Sequence, residues 1–357
     1  MEPVPVRTFS LRKMFAGTGF FPFIVRRLLT AVLLILGITF IAFSVTQLVP
    51  GDPVAANLGQ SAYSDPEIVA AFEKEFGLDQ PVPIQYITYL GKLVQGDLGV
   101  SLSSKRPVSE DLREYFPATL EIAIFAVFVA LVLGILLGTI SAMTRDRLPD
   151  QIIRVFSLTG VSMPVFWTAI TAFYIFFFLL GWAPGTGRLE PGAEPPPTVT
   201  GLFTIDALLN GDLSTSKEAL SYLLLPALVL AVYALGVITR FTRASVLEIL
   251  GNDYVRTARS KGLSEFTVIR RHVLRPALLS IITIAGVAFA SLLAGSVLVE
   301  NVFSWPGLGQ YAYRSAVGLD LPGIMGVSMV VATVFILMNL LVDVLYRVID
   351  PQMRDAG

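Results

Sequence analysis

Six stretches of this 357-residue chain hold no charged residue: 28–51, 122–144, 155–187, 219–239, 276–299 and 321–342. A helix needs about 20 apolar residues to cross a hydrocarbon core of about 30 Å, and each stretch meets that length. Inside lipid the backbone must satisfy its own hydrogen bonds, so the stretches read as helices and not as open strands. The third is too long for one helix. Its end, Gly181 to Gly187 with Trp182 and Pro184, reads as an interfacial exit. Pro164 and Pro226 are expected kinks in the third and fourth spans.

Composition supports lipid as the solvent. Charged residues are 15% of the chain and hydrophobic residues 54%, against about 25% charged in a soluble domain. The absence of cysteine excludes disulfides, thiolate metal sites and cysteine nucleophiles. One histidine, His272, excludes a multi-histidine metal centre and leaves little room for a Ser-His-Asp triad. A net charge of −1 gives no reason to expect nucleic acid. No G-x-x-x-x-G-K-[ST] loop is present, so no phosphate cradle is encoded.

Basic residues set the orientation. Eighteen of the 26 fall on one side, among them Arg145, Arg147, Arg154, Arg240, Arg243, Arg270, Arg271 and Arg275. The positive-inside rule places that side, with both termini, in the cytoplasm. The first span is longer than a signal-peptide core and reads as an uncleaved anchor. The resulting segments are an N-terminal extension at 1–27 and spans at 28–49, 118–143, 155–181, 220–239, 276–299 and 324–346. Outer segments lie at 50–117, 182–219 and 300–323, a cytoplasmic loop at 240–275 and a tail at 347–357.

The first outer segment carries helix signals. Asp65 and Pro66 suit a helix start, Ile68, Phe72 and Phe76 recur at i+4, and Gly77 supplies a stop. A second helix is expected from Pro83 to Gln95. This segment reads equally as a docking surface or as a cap that recognises nothing. The proline-rich stretch Glu190–Pro197 reads as an extended spacer. Glu121 and Asp343 read as helix-end anchors, and Gly134 and Gly138 as a close helix contact. Glu300, Phe303, Trp305, Pro306 and Gly307 form a turn that shapes an outer gate or is a plain interfacial turn.

The cytoplasmic loop spends thirty-six residues where a handful would join two helices. Asp253 is placed to cap a short helix that Gly262 ends, with Tyr254, Thr257 and Ala258 on one face. Arg256, Arg259 and Lys261 ring that contact. By spacing alone, a basic loop near anionic headgroups explains the segment better than a lever does.

Tyr254-Val-Arg-Thr-Ala-Arg-Ser-Lys-Gly262 resembles the coupling loop, or EAA loop, of bacterial ABC importer permeases. Ala258 and Gly262 match the family spacing, with Thr257 in the first alanine slot and Arg256 where the family has glutamate. Pro50-Gly-Asp-Pro53, Gly77-Leu-Asp-Gln-Pro81, Gly96-Asp-Leu-Gly99 and Pro117-Ala-Thr-Leu-Glu121 narrow the resemblance. So do Val299-Glu-Asn-Val-Phe-Ser-Trp-Pro-Gly-Leu-Gly309, Asn339-Leu-Leu-Val-Asp343 and Asp350-Pro351. Together they are similar to the B-type permeases of dipeptide, oligopeptide and nickel importers over roughly residues 22–354.

The resemblance implies an all-α polytopic membrane protein with the six transmembrane helices of the type I ABC importer permease fold. It implies a homologous second permease, two ATPase subunits that bind ATP and Mg, an extracytoplasmic peptide-binding protein, and a bacterial plasma or inner membrane. It implies no cofactor in this chain and no enzymatic activity of its own. The alternatives are the same architecture carrying nickel or another small solute, then a self-sufficient secondary transporter. An intramembrane protease lacks its paired catalytic residues here.

Overall fold

The computed structural model describes residues 20–48, 52, 54, 55, 57, 58 and 64–349. Most of the N-terminal extension, most of the Pro50–Pro53 motif, Asp350-Pro351 and the rest of the tail lie outside the described residues. Helix α1 spans Phe20–Leu48, α2 Pro66–Phe76, α3 Val82–Val94 and α4 Val108–Met143. Next come α5, Leu148–Ser162, and α6, Val165–Leu179, whose last six residues widen into π-helical turns. Helix α7 is Phe203–Leu209, α8 Leu213–Leu250 and α9 Asp253–Ser260. The chain continues with α10, Glu265–Gly295, then α11, Val297–Val302, α12, Leu308–Val317, and α13, Leu321–Ile349.

Helix α2 forms where its signals put it. The Asp65 carboxylate accepts a hydrogen bond from the Glu67 amide at 2.9 Å, Pro66 opens the helix, and Gly77 closes it at φ 69°. Phe72 is buried with Val54 and Leu102 in a small core of the outer cap.

Among the described residues α4, α8, α10 and α13 are long and apolar enough to cross a membrane, and α5 with α6 makes a fifth crossing if the bent pair is one span. Each of the six uncharged runs falls on one of these elements or on α1. The third run is not one straight span at 155–181: α5 and α6 meet at 100° across Met163 and Pro164. Proline has no N–H to donate and disfavours helical geometry in the residue before it, so the break falls there. Pro226, by contrast, is buried inside α8 and leaves that helix continuous. At 1.5 Å per residue the 38 residues of α8 reach about 57 Å, well beyond the 220–239 expected for its span.

The core is assembled around α8, which packs on α4, α5 and α10. Gly138 on α4 lies where an added Cβ would sit 2.6 Å from the Thr242 Cβ and 2.7 Å from the Thr239 carbonyl. Absence of a side chain is therefore what lets the two backbones approach. Ala123, Ala126, Ala130, Ala227 and Ala234 continue the small-residue contact, all fully buried.

Gly138→Leu should push α4 from α8 and cost about 1–3 kcal/mol. A thermal-unfolding midpoint lowered by several degrees in detergent is the expected result, and an unchanged midpoint would contradict the packing.

Candidate functional site

Three side-chain constellations stand out, one at the end of α8 and two where its flanks meet other helices. At the first, α8 ends at Gly251 and α9 begins at Asp253, with Asn252 as the cap residue and Asp253 as the first helical residue. Val255 and Ala258 are buried in the same core as Val246 and Val268. Tyr254, Asp253, Arg256, Thr257, Arg259 and Lys261 are exposed. The face expected for Tyr254, Thr257 and Ala258 is therefore split: Ala258 packs inward on this chain's own helices, while Tyr254 and Thr257 face out. The helical period explains this, since residues three apart, 255 and 258, share the buried side.

Gly262 adopts φ 76°, and an added Cβ would meet nothing within 4 Å, so the turn demands glycine for backbone reasons alone. Arg259 closes the turn by donating to both Glu265 oxygens, at 3.1 and 2.6 Å. That pairing raises the guanidinium further above its usual range. Beyond it Leu263 and Phe266 are exposed, Phe266 at 73%, and Tyr254 on α9 is 46% exposed. Short α9 and the turn after it thus present Tyr254, Leu263 and Phe266 outward, an apolar set suited to a protein groove.

The second constellation lies near the other end of α8. Arg188, from the proline-rich segment, donates to Glu121 at 2.6 Å and to the Gly201 carbonyl at 2.9 Å. Thr204 donates to the other Glu121 oxygen through its amide and hydroxyl, at 2.9 and 2.6 Å. The guanidinium carbon lies 3.4 Å from the Phe203 ring centroid. Burial holds the Arg188 pKa below its ordinary value against the pull of Glu121. Glu121 is thus not a helix-end anchor but one half of a buried pair. The stretch Glu190–Pro197 forms no helix, while the rest of segment 182–219 folds α7 and sends Arg188 inward. Asp206 on α7 accepts from Thr200, Val199 and Gly201. Burial raises its carboxyl, and those bonds outweigh burial to hold it low.

The turn at 300–307 adjoins this pair, with the Arg188 guanidinium carbon 5.5 Å from the Trp305 ring centroid. The Trp305 indole donates to the Ala118 carbonyl at 2.9 Å, and Thr119 donates to Glu300 at 2.7 Å and accepts from the Leu308 amide at 2.7 Å. Glu300 also accepts from Ser296 and from the Gln310 amide, and is fully buried. Burial raises its carboxyl above the ordinary range despite those donors. Phe303 and Trp305 are buried and Gly307 opens α12. The motifs Pro117–Glu121 and Val299–Gly309, separate in sequence, therefore form one packed unit. Asp320 ties the outer cap to it by accepting from Ser101, from the Leu102 amide at 3.0 Å and from the Gly323 amide at 3.1 Å.

The third constellation centres on Asp150, which the sequence reading passed over. Its buried carboxylate receives Arg243 of α8 in two-pronged contact at 2.8 Å each, Ser141 of α4 at 2.5 Å and the Asp146 amide at 2.9 Å. Asp150 sits in the first turn of α5, where an acidic residue carries no local sign of a buried partner. Asp343, also expected as an anchor, pairs with Arg27 of α1.

Residues 134–355 match the family described as binding-protein-dependent transport system inner membrane component, and residues 20–123 match its N-terminal companion. The chain is 43% identical over 326 residues to a probable D,D-dipeptide transport system permease protein of Escherichia coli K12, covering 91% of this chain and 95% of that one. It is 41% identical over 332 residues to a di/tripeptide transport system permease protein of Pseudomonas aeruginosa, covering 93% and 98%. Among solved structures it resembles an inward-facing MetNI methionine ABC transporter chain, with a TM-score of 0.50 and 17% identity. That match covers 65% of this chain and 93% of the other. It bears on the fold alone.

Removing one partner of a buried ion pair costs about 3–5 kcal/mol. Glu121→Gln and Arg188→Met should each lower the unfolding midpoint of the purified protein sharply, and the double substitution less than the sum. Additive losses would contradict the pairing. Glu300 contributes stability that is complete below the ordinary glutamate pKa and lost as pH rises through its raised value. Unfolding midpoints measured across that window should fall with rising pH, and Glu300→Gln should flatten the slope.

Proposed function

This chain belongs to the family of binding-protein-dependent transport system inner membrane components, and from that membership we propose that it carries di- and oligopeptides as one permease of an ATP-driven importer. It is a multi-pass inner membrane protein, and the family consists of ABC permease subunits. The peptide substrate is inferred from relatives named for dipeptide and di/tripeptide transport.

The observation that carries the mechanism is the construction of α9. Val255 and Ala258 anchor it to the core directly beyond α8, while Tyr254, Thr257, Leu263 and Phe266 face outward. On this reading an ATPase subunit seats α9 in a groove. ATP and Mg bind to that subunit and not to this chain. Closure of the ATPases displaces α9, and α8 carries the displacement as a rigid body between two states. At its far end α8 engages the outer segment through Ser216, which donates to the Thr204 carbonyl at 2.9 Å, and through Glu218, which accepts from the Glu190 amide at 2.7 Å. Thr204 holds Glu121, so movement of α8 reaches the packed turn of Glu300 and Trp305 as an outer gate.

The positive-inside asymmetry supports α9 and both termini in the cytoplasm. A homologous second permease completes the path, two ATPases drive it, and an external binding protein delivers peptide to the outer side.

In the reconstituted complex, Tyr254→Ala/Phe266→Ala should insert normally and lose most peptide-stimulated ATPase activity. Gly262→Trp, placed in a left-handed turn that costs a non-glycine residue about 1–2 kcal/mol, should uncouple transport likewise. Full stimulation in both would overturn the lever assignment.

A further inference from the structure

A cleft of about 210 Å³ opens between α5 and α8, on the side of the bundle where α9 lies. Ile153, Leu158 and Val161 make its apolar wall, and Arg154, Arg240 and Arg243 supply three guanidinium groups. Arg243 is committed to Asp150 by two hydrogen bonds. Arg154 lies 3.7 Å from the same carboxylate, which is already taken up by Arg243, Ser141 and the Asp146 amide. Arg240 has no carboxylate within ion-pair distance among the described residues; its recorded neighbour is the Phe241 ring, at 5.7 Å. Most of two positive charges is therefore left at the cleft.

A second observation points to a ligand. Thr239 lines the cleft, is 2% exposed, and its hydroxyl oxygen has no hydrogen-bond partner. A buried hydroxyl without a partner costs free energy that an acceptor in the cleft would recover. Two cations and a donor beside a small, mainly apolar cleft match a phosphate group that carries apolar chains. The apolar wall then decides its source. Leu158 lines the cleft and is also 55% exposed on the bundle exterior, so an acyl chain can leave along it into the bilayer.

We propose that this cleft holds the phosphate headgroup of an anionic phospholipid from the leaflet nearest α9. Basic pockets between membrane helices bind such headgroups. A lipid seated there bridges α5 and α8, the two helices that Asp150 and Arg243 also join. It therefore bears on how freely α8 moves.

The test is native mass spectrometry of the whole importer complex, exchanged through detergent and incubated with phosphatidylglycerol or phosphatidylcholine. Wild type should retain phosphatidylglycerol about tenfold better than phosphatidylcholine, and Arg154→Gln/Arg240→Gln should lose that preference. Thr239→Val, which leaves the charges and shape intact, should weaken retention several-fold. Arg270→Gln/Arg271→Gln, on a separate basic surface, should leave it unchanged. Equal retention of phosphatidylglycerol in wild type and in the Arg154/Arg240 and Thr239 variants overturns the proposal. Displacement by excess inorganic phosphate, with no preference between the two lipids, overturns it in favour of a soluble anion.

Discussion

The close approach of α4 and α8 is the contact on which the rest of the structure depends. A membrane helix gains no hydrophobic free energy by leaving lipid for another helix, so association must come from packing and from polar contacts. Gly138 removes the atom that would hold the backbones apart, and alanines extend the seam. Helix α8 runs through this contact as a single helix of 38 residues, with Pro226 buried inside it. Every constellation described above is attached to it. Asp150 fixes its lower flank through Arg243, α9 hangs from its end, and Thr204 with Glu190 meets its outer turn.

The polar networks serve a different purpose from the seam. Burying an ion pair such as Glu121–Arg188 contributes little net stability against an apolar substitute, while breaking it is costly. Such pairs specify arrangement. Here the pair fixes where segment 182–219 meets α4 at Glu121, beside the Thr119–Glu300 hydrogen bond. A bundle that alternates between two states needs junctions that hold one arrangement or another and do not deform continuously. The Glu121–Arg188 and Asp150–Arg243 pairs each hold one such arrangement through buried, charged hydrogen bonds.

Much of this was legible in the sequence, because charge at a span's end is a local signal. The uncharged runs locate the helices, and Asp65, Pro66 and Gly77 locate α2 almost to the residue. The α9 segment was legible as a short helix, though the cap lies one residue earlier, at Asn252. What was not legible depends on distant partners. Glu121 and Arg188 are 67 residues apart, and nothing local distinguishes a buried glutamate from an anchor. The two-pronged partner of Asp150 is Arg243, ninety-three positions on. Ala258 reads locally as sharing a face with Tyr254 and Thr257, yet it is buried in one core with the distant Val246 and Val268. The 100° turn at Pro164 escaped because a proline in an apolar run fits a mild kink as well as a full break.

The central claim is that α8 and α9 move together as one rigid lever. Spin labels on exposed Thr257 of α9 and exposed Lys217 near the start of α8, read by pulsed electron resonance in the reconstituted importer, measure it directly. The account predicts one sharp Thr257–Lys217 distance, unchanged between nucleotide-free and ATP-bound complexes, while the distance from Thr257 to a label on the partner ATPase changes. A Thr257–Lys217 distance that shifts or broadens when ATP binds would mean that α9 swings on a hinge at Gly251, and would contradict the account.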